Sequence, residues 1–131
     1  MMKSEISFLK NEQKENITSY LVDCINRVQD HEHILYFSYF YSKQFLLNKY
    51  EILNRENVTV IHDTSVTLEE LEKYILQYKP DYVFIDFLKM TKRRDFFIQN
   101  KRLHYVKDTL KKFEDKYNVN VLVVVNWLEE K

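Results

Sequence analysis

Apolar residues change their spacing several times along the chain, and the changes predict alternating strands and helices. Short apolar runs at 6–9, 34–37, 58–61, 82–88 and 121–125 predict five strands. Between them, apolar residues three and four positions apart predict helices over 17–28, 45–53, 71–78 and 103–117. The last strand is wholly apolar, as is typical of the middle of a parallel sheet. We therefore predict one α/β domain over residues 1–131.

Polar residues at the ends of these runs predict where the helices begin and end. Ser42 is a candidate N-cap, and Thr67 with Glu70 forms a capping-box pattern. Pro80 follows the third helix. The chain contains no glycine, so Asn118 is expected to supply the left-handed residue that ends the last helix.

The absence of glycine also limits the chemistry that this chain can support. Glycine-rich phosphate loops and dinucleotide fingerprints are excluded in their usual form. The formal net charge is zero, so any contact with nucleic acid must come from a local basic patch. A single cysteine, Cys24, allows no internal disulfide, and its place on the apolar side of the first helix predicts a core residue. No membrane-spanning or signal segment is apparent, and a cytoplasmic protein is expected.

Three segments, in order, resemble the RecA-like ATPase core of DnaB-type replicative helicases. Residues 34–46 (ILYFSYFYSKQFL) are similar to the family's strand ending in F-S-L-E-M. Residues 80–90 (PDYVFIDFLKM) are similar to its Walker B strand, I-D-Y-L-Q-L-M, and residues 118–128 (NVNVLVVVNWL) to the strand ending in S-Q-L-N-R. Between the first two, residues 60–64 (VIHDT) resemble its I-D-D-T segment.

This resemblance implies a three-layer sandwich with a mostly parallel five-stranded sheet, in a truncated RecA-like P-loop ATPase topology. The implied strand order is third, second, fourth, fifth, first. The strand at 6–9 would then lie at an edge of the sheet, where unpaired backbone groups could support a homodimer.

The departures from the family imply that ATP hydrolysis is lost. The family's G-K-T falls on Lys14, Glu15 and Asn16, and its catalytic glutamate falls on Phe40. Asn126 and Glu129 replace the glutamine and arginine of the last strand, and the resemblance stops before the arginine finger. Of the catalytic set only the Walker B aspartate, Asp86, is kept. One carboxylate without phosphate oxygens is too few ligands for Mg²⁺, so neither a metal nor a cofactor is expected.

The resulting function hypothesis is a catalytically inactive, helicase-core-like pseudo-ATPase, a protein-interaction or regulatory module in the DNA replication of a phage or mobile element. Its expected partner is a replicative helicase or the helicase loader. An aromatic cluster is expected to fill the core in place of a nucleotide, and any exposed part would be a protein-binding patch. Its members are Tyr36, Phe37, Tyr39, Phe40, Tyr41 and Phe45.

The alternative hypothesis is an accessory protein that binds single-stranded DNA. Basic residues follow the Walker B-like strand, where the helicase family contacts DNA: Lys92, Arg93, Arg94, Lys101 and Arg102. Lys107, Lys111, Lys112 and Lys116 continue the charge. The same pattern also fits a solvated helix face on which Asp108 pairs with a lysine one turn away.

Three further candidates are weaker. Asp63, Asp81 and Asp86 could form a nuclease-type metal cluster, but they follow different strand ends. His31 and His33 lack a third ligand for zinc. Asp86 itself could be a relic metal ligand, but a structural polar group satisfied by neighbouring loops is the favoured interpretation.

Overall fold

A computed structural model describes residues 5–10, 14–38, 41–63, 68–86 and 100–127, and of these only the backbone at 5–10, 14–17, 100–107 and 125–127. The strands are β1 (Glu5–Lys10), β2 (Ile34–Ser38), β3 (Val58–His62), β4 (Tyr82–Asp86) and β5 (Asn120–Trp127). The helices are α1 (Lys14–Asn26), α2 (Lys43–Lys49), α3 (Leu68–Tyr78) and α4 (Asn100–Tyr117), with a 3-10 helix at Glu51–Asn54.

The five strands form one sheet in the order β1-β5-β4-β2-β3, and every described pair is parallel. The prediction of an α/β fold with a parallel sheet is confirmed. The strand order is also the one implied by the resemblance, with β1 at one edge of the sheet and β3 at the other.

Alternation of side chains along the strands divides the core between the two faces of the sheet. Tyr36 and Phe84 face the cluster that includes residues of α1, α2 and the 3-10 helix. Phe37 and Ile85 face the cluster that includes residues of α3 and α4. Both faces of the central strands are therefore covered by helices, which explains why β2 and β4 are buried along their whole length.

Several helix ends follow the predicted chemistry. Ser42 Oγ accepts a hydrogen bond from the Phe45 backbone N–H at 3.2 Å, which confirms the N-cap of α2. Asn118 has φ of 53°, so the left-handed residue after α4 is confirmed. Lys79 also has positive φ, 48°, a conformation that the sequence pattern did not predict. The capping residue Thr67 lies outside the described residues.

Other boundaries differ from the prediction. The predicted helix over 45–53 is wrong as one element, because α2 ends at Lys49 and a separate 3-10 helix follows an extended Tyr50. The polar loop expected over 10–15 is shorter, since Lys10 ends β1 and α1 begins at Lys14. No helix in the described part of the chain is long and apolar enough to cross a membrane.

Candidate functional site

The connections of the sheet mark one place where a ligand crevice is expected. After β2 the chain continues to α2 on one face of the sheet, and the helix that follows β4 in the described chain, α4, lies on the other face. The carboxyl ends of these neighbouring strands are thus a topological switch point, where parallel α/β folds bind their ligands. Ser38 and Asp86 are register partners at this point, and both are buried.

Asp86 is the last residue of β4 and is only 1% exposed. Its Oδ2 atom accepts hydrogen bonds from Thr18 Oγ1 at 3.0 Å and from the Tyr36 hydroxyl at 3.3 Å. Its Oδ1 atom is buried, and no residue in the described part of the chain forms a hydrogen bond with it. The described residues therefore satisfy one oxygen of this carboxylate and not the other.

Burial is the main influence on the ionisation of Asp86. Removal from water disfavours the charged form and raises the pKa of Asp86 to about 6, while the bonds from Thr18 and Tyr36 act in the lowering direction. Burial and the nearby Asp86 carboxylate raise the pKa of Tyr36 well above its usual range. Tyr36 therefore stays protonated and remains a hydrogen-bond donor at neutral pH.

Two neighbours of Asp86 were missed by sequence reasoning. Thr18 lies one turn before Leu21 on the buried stripe of α1, so a polar residue in an apolar stripe was the available signal. Tyr36 lies on the strand next to Asp86 and two residues before its register partner Ser38, a diagonal neighbour within reach of a long side chain. A buried tyrosine hydroxyl needs a partner, but its identity depends on strand order.

The residues predicted for the phosphate loop lie elsewhere than expected. Lys14, Glu15 and Asn16 are the first residues of helix α1 rather than a loop. Thr18, two positions beyond the predicted G-K-T, is the α1 residue that reaches Asp86. Phe40 lies outside the described residues, as does Glu129, and the side chain of Asn126 is not described.

The remaining candidate sites are separated by the fold. Asp81 precedes β4 and Asp86 ends it, so they lie at opposite ends of that strand, and no group of His, Cys, Asp and Glu among the described residues could hold a metal. Cys24 is buried, as predicted. Lys92, Arg93 and Arg94 lie outside the described residues, and Lys101 and Arg102 lie in α4 with no described side chains.

The aromatic cluster is only partly in the core. Tyr36 and Phe37 are buried, but Phe45 is 43% exposed, so its assignment to the core is wrong. Its ring stacks on Tyr41 at 4.8 Å between centroids, and Lys49 Nζ lies 5.7 Å from the Phe45 centroid and 5.6 Å from that of Tyr50. We call Tyr41, Phe45, Lys49 and Tyr50 the aromatic patch. Tyr39 and Phe40 lie outside the described residues.

Comparison with known proteins adds no family to this description. No protein-family model and no curated protein matches the chain.

Proposed function

We propose that this chain is a catalytically inactive module with a RecA-like, helicase-core-like topology that acts by binding a protein partner in DNA replication. The observation that carries the proposal is the enclosure of Asp86. The polar group at the switch point is buried, and two hydroxyl groups of the fold already bond to one of its oxygens. An acid so placed is a poor ligand for a substrate that enters from solvent.

The chain can be aligned with the family's G-K-T in two ways, and neither alignment places a lysine at the phosphate-binding position, which supports the same proposal. In the register predicted from the resemblance, Glu15 stands at the lysine position. Shifting the register by two places the threonine of G-K-T on Thr18, which contacts Asp86, and the lysine on Ile17. Neither residue supplies positive charge to a triphosphate, and a carboxylate there opposes it.

The aromatic patch supports a protein partner. Aromatic residues are enriched in protein interfaces, and tyrosine is among the side chains that most often dominate interface affinity. Tyr41 and Tyr50 pack against the core, so the patch is held in place before any partner binds. Preorganised side chains lose less conformational entropy on association.

The edge strand β1 offers a second surface, suited to another copy of this chain. Among the described strands β1 pairs only with β5, so no described strand covers the backbone groups on its other side. A homodimer through this edge remains part of the proposal, with a replicative helicase or its loader as the heterologous partner.

Two experiments test the proposal. Calorimetry with ATP and Mg²⁺ should detect no binding at micromolar concentrations, and micromolar affinity would overturn the claim of lost nucleotide binding. Co-purification with the host replicative helicase and its loader should recover one of them with wild-type protein and lose it with Phe45→Glu.

Leu76→Glu is the matched control for the second experiment. Leu76 is 53% exposed on α3, on the opposite face of the sheet from the aromatic patch. This variant adds the same charge and should leave the association intact. Equal loss in both variants, or no association with either partner, would contradict the proposed role of the patch.

The alternative, binding of single-stranded DNA, depends on Lys92, Arg93, Arg94, Lys101 and Arg102. The described half of α4 does not extend a basic surface, since Lys111, Lys112 and Lys116 are balanced by Asp108, Glu114 and Asp115. Oligonucleotide affinity that falls with salt and is lost when Arg93 and Arg94 are changed to Glu would favour it. Binding that survives this change would exclude it.

A further inference from the structure

Helix α2 differs in charge from the other α-helices that the structure describes. Residues 43–49 (KQFLLNK) contain two lysines and no acid, whereas α1, α3 and α4 each contain acidic residues. Lys43 and Lys49 are exposed, and no carboxylate in the described part of the chain, including that of nearby Glu51, forms an ion pair with either of them. Helix α2 therefore presents uncompensated positive charge on a protein whose formal net charge is zero.

The aromatic patch positions one of these charges, Lys49. Its Nζ atom lies 5.7 Å from the Phe45 centroid and 5.6 Å from the Tyr50 centroid, the range in which a ring attracts a cation. Tyr50 is itself anchored, because its ring packs against the core and its hydroxyl lies 3.4 Å from Ser19 Oγ. No described residue accepts a hydrogen bond from Lys49 Nζ, so its donors are available to an anionic acceptor.

Phe45 supplies apolar surface beside this charge. Its ring is 43% exposed, stacks on Tyr41 with 21° between the planes, and has Lys49 Nζ over it. Because both neighbours lie over the ring rather than beside it, the exposed part includes the ring edge. The edge of an aromatic ring is the positive part of its quadrupole, so it attracts a carboxylate oxygen.

A single-stranded nucleic acid fits this surface less well than an acidic peptide. Nucleic acids of this kind need ring faces on which bases stack and a row of cations along the backbone. The Phe45 ring is already stacked, and two lysines are all the positive charge of α2. A peptide needs only a carboxylate for the cation and an apolar side chain for the ring.

We propose that the aromatic patch, together with α2, binds an acidic peptide segment of a partner protein, with a carboxylate on Lys49 and a neighbouring apolar side chain against Phe45. This inference rests on the proposed function, since it gives the chemical class of the partner at the same surface. The two contacts act together, because the apolar contact excludes water from the charge pair and strengthens it.

Two peptide pools test this chemistry. One contains Asp, Glu, Leu and Phe in random order, and the other replaces the acids with Asn and Gln. The protein should bind the acidic pool about tenfold more tightly than the amide pool, and the affinity should fall as salt is added. The α2 amide resonances should shift on binding. No binding of the acidic pool, or equal affinity for both pools, would overturn the inference.

Variants of two lysines separate a local contact from general charge attraction. Lys49→Gln should weaken binding of the acidic pool about fivefold, and Lys49→Arg should keep most of the affinity, because arginine also lies well over aromatic rings. Lys112→Gln removes the same charge from an exposed position on α4, across the sheet from the aromatic patch, and should bind like wild type. Equal losses in Lys49→Gln and Lys112→Gln would contradict a site on α2.

These results are distinguishable from failure of the proposed function. If co-purification with the helicase or its loader depends on Phe45 but the acidic pool does not bind, the proposed function stands and the acidic class is wrong. If the acidic pool binds through Lys49 but neither protein associates, the acidic class stands and the replication partner is wrong. Oligothymidylate that binds more tightly than the acidic pool, and is lost with Lys49→Gln, would overturn the inference in favour of nucleic acid.

Discussion

The two ends of the sheet satisfy their polar groups in different ways. At the amino end, Asp81 connects the starts of β2, β4 and β5. Its Oδ2 atom accepts a hydrogen bond from the His33 N–H at 2.8 Å, and its own N–H donates to the His33 carbonyl at 2.8 Å. Its carbonyl accepts a hydrogen bond from the Asn120 N–H at 2.9 Å. The Ile34 N–H donates to the Asn57 carbonyl at 2.8 Å, which joins the entry of β3 to that of β2. At the carboxyl end, one oxygen of Asp86 accepts two hydrogen bonds, and the other is buried with no donor among the residues that the structure describes.

Exposure explains the contrast between these two aspartates. Asp81 is partly exposed, and its bonds to backbone groups join the strand entries. Beside it lies an open groove of about 520 Å³, lined by residues that include His31 and His33, with an ion pair of 3.1 Å between Arg55 and Asp30 at its rim. Asp86 is only 1% exposed, and its donors in the described part of the chain are two neutral hydroxyl groups. At the amino end, hydrogen bonds of Asp81 thus join the strands. At the carboxyl end, the free-energy cost of burying the Asp86 carboxyl group depends on pH.

The largest expected effect is on the pH dependence of stability. The folded-state pKa of Asp86, about 6, lies above its unfolded value, so its contribution to stability is fully present below the unfolded pKa and is lost as the pH rises through about 6. The free energy of unfolding of Asp86→Asn relative to wild type should rise by about 2 kcal/mol from about pH 4.5 to about pH 7.5. Urea unfolding at several pH values measures this, and parallel pH curves for the two proteins would contradict it.

At the amino end, Asp81→Ala should reduce the free energy of unfolding by about 1.5 kcal/mol, because the His33 N–H loses its side-chain acceptor. Asp81→Asn keeps an acceptor oxygen at the same position and should recover most of the loss. Thermal or urea unfolding near neutral pH compares the three proteins. If Asn is as damaging as Ala, the hydrogen bond is not what Asp81 contributes.

Tyr36→Phe removes one donor from Asp86 without changing the shape of the ring. The bond of 3.3 Å stabilises the charged carboxylate, so the loss should be about 1 kcal/mol near pH 7.5 and smaller near pH 5. The pKa of Asp86 should rise further, since this bond acts in the lowering direction. A carbon NMR titration of Asp86 in the variant checks the direction, and an unchanged midpoint would show that Tyr36 does not influence the acid.

The smallest effect concerns Lys79, at the turn that leads from α3 to the start of β4. Its φ of 48° is disfavoured for a residue with a Cβ atom, so Lys79→Gly should increase the free energy of unfolding by about 0.5 kcal/mol after the entropy cost of glycine. Lys79→Ala removes the same charge but keeps the Cβ atom, and it should give no increase. A gain in both variants would point to charge rather than backbone conformation.

The sequence predicted the features that depend on local pattern. Ser42 was recognisable as an N-cap and Asn118 as a left-handed residue, because each follows from residue type beside a helical repeat. The five apolar runs all correspond to strands, and β2, β3 and β4 begin at the predicted residue, whereas β1 and β5 each begin one residue earlier. The strand order followed from the resemblance and not from periodicity, which carries no information about which strands are neighbours.

The candidate site was harder to predict because it depends on contacts between distant residues. Thr18 and Asp86 are 68 positions apart, and only the strand order brings them together. Phe45 fits the apolar repeat of α2, yet it is exposed, because the helix ends at Lys49 and packs on the core through Leu46 and the half-buried Leu47. A repeat covering so few turns does not determine which side of a helix packs.

The position of β5 has a consequence for the order in which the protein is made. β5 is the last of the described strands but lies between β1 and β4, and the register partner of Glu5 is Leu122. During synthesis β1 therefore leaves the ribosome long before the strand that completes its side of the sheet. Until then β1 and the first half of the sheet expose unpaired backbone to other chains. We therefore expect chaperones that shield nascent chains to increase the yield of folded protein, whatever the stability of the folded state.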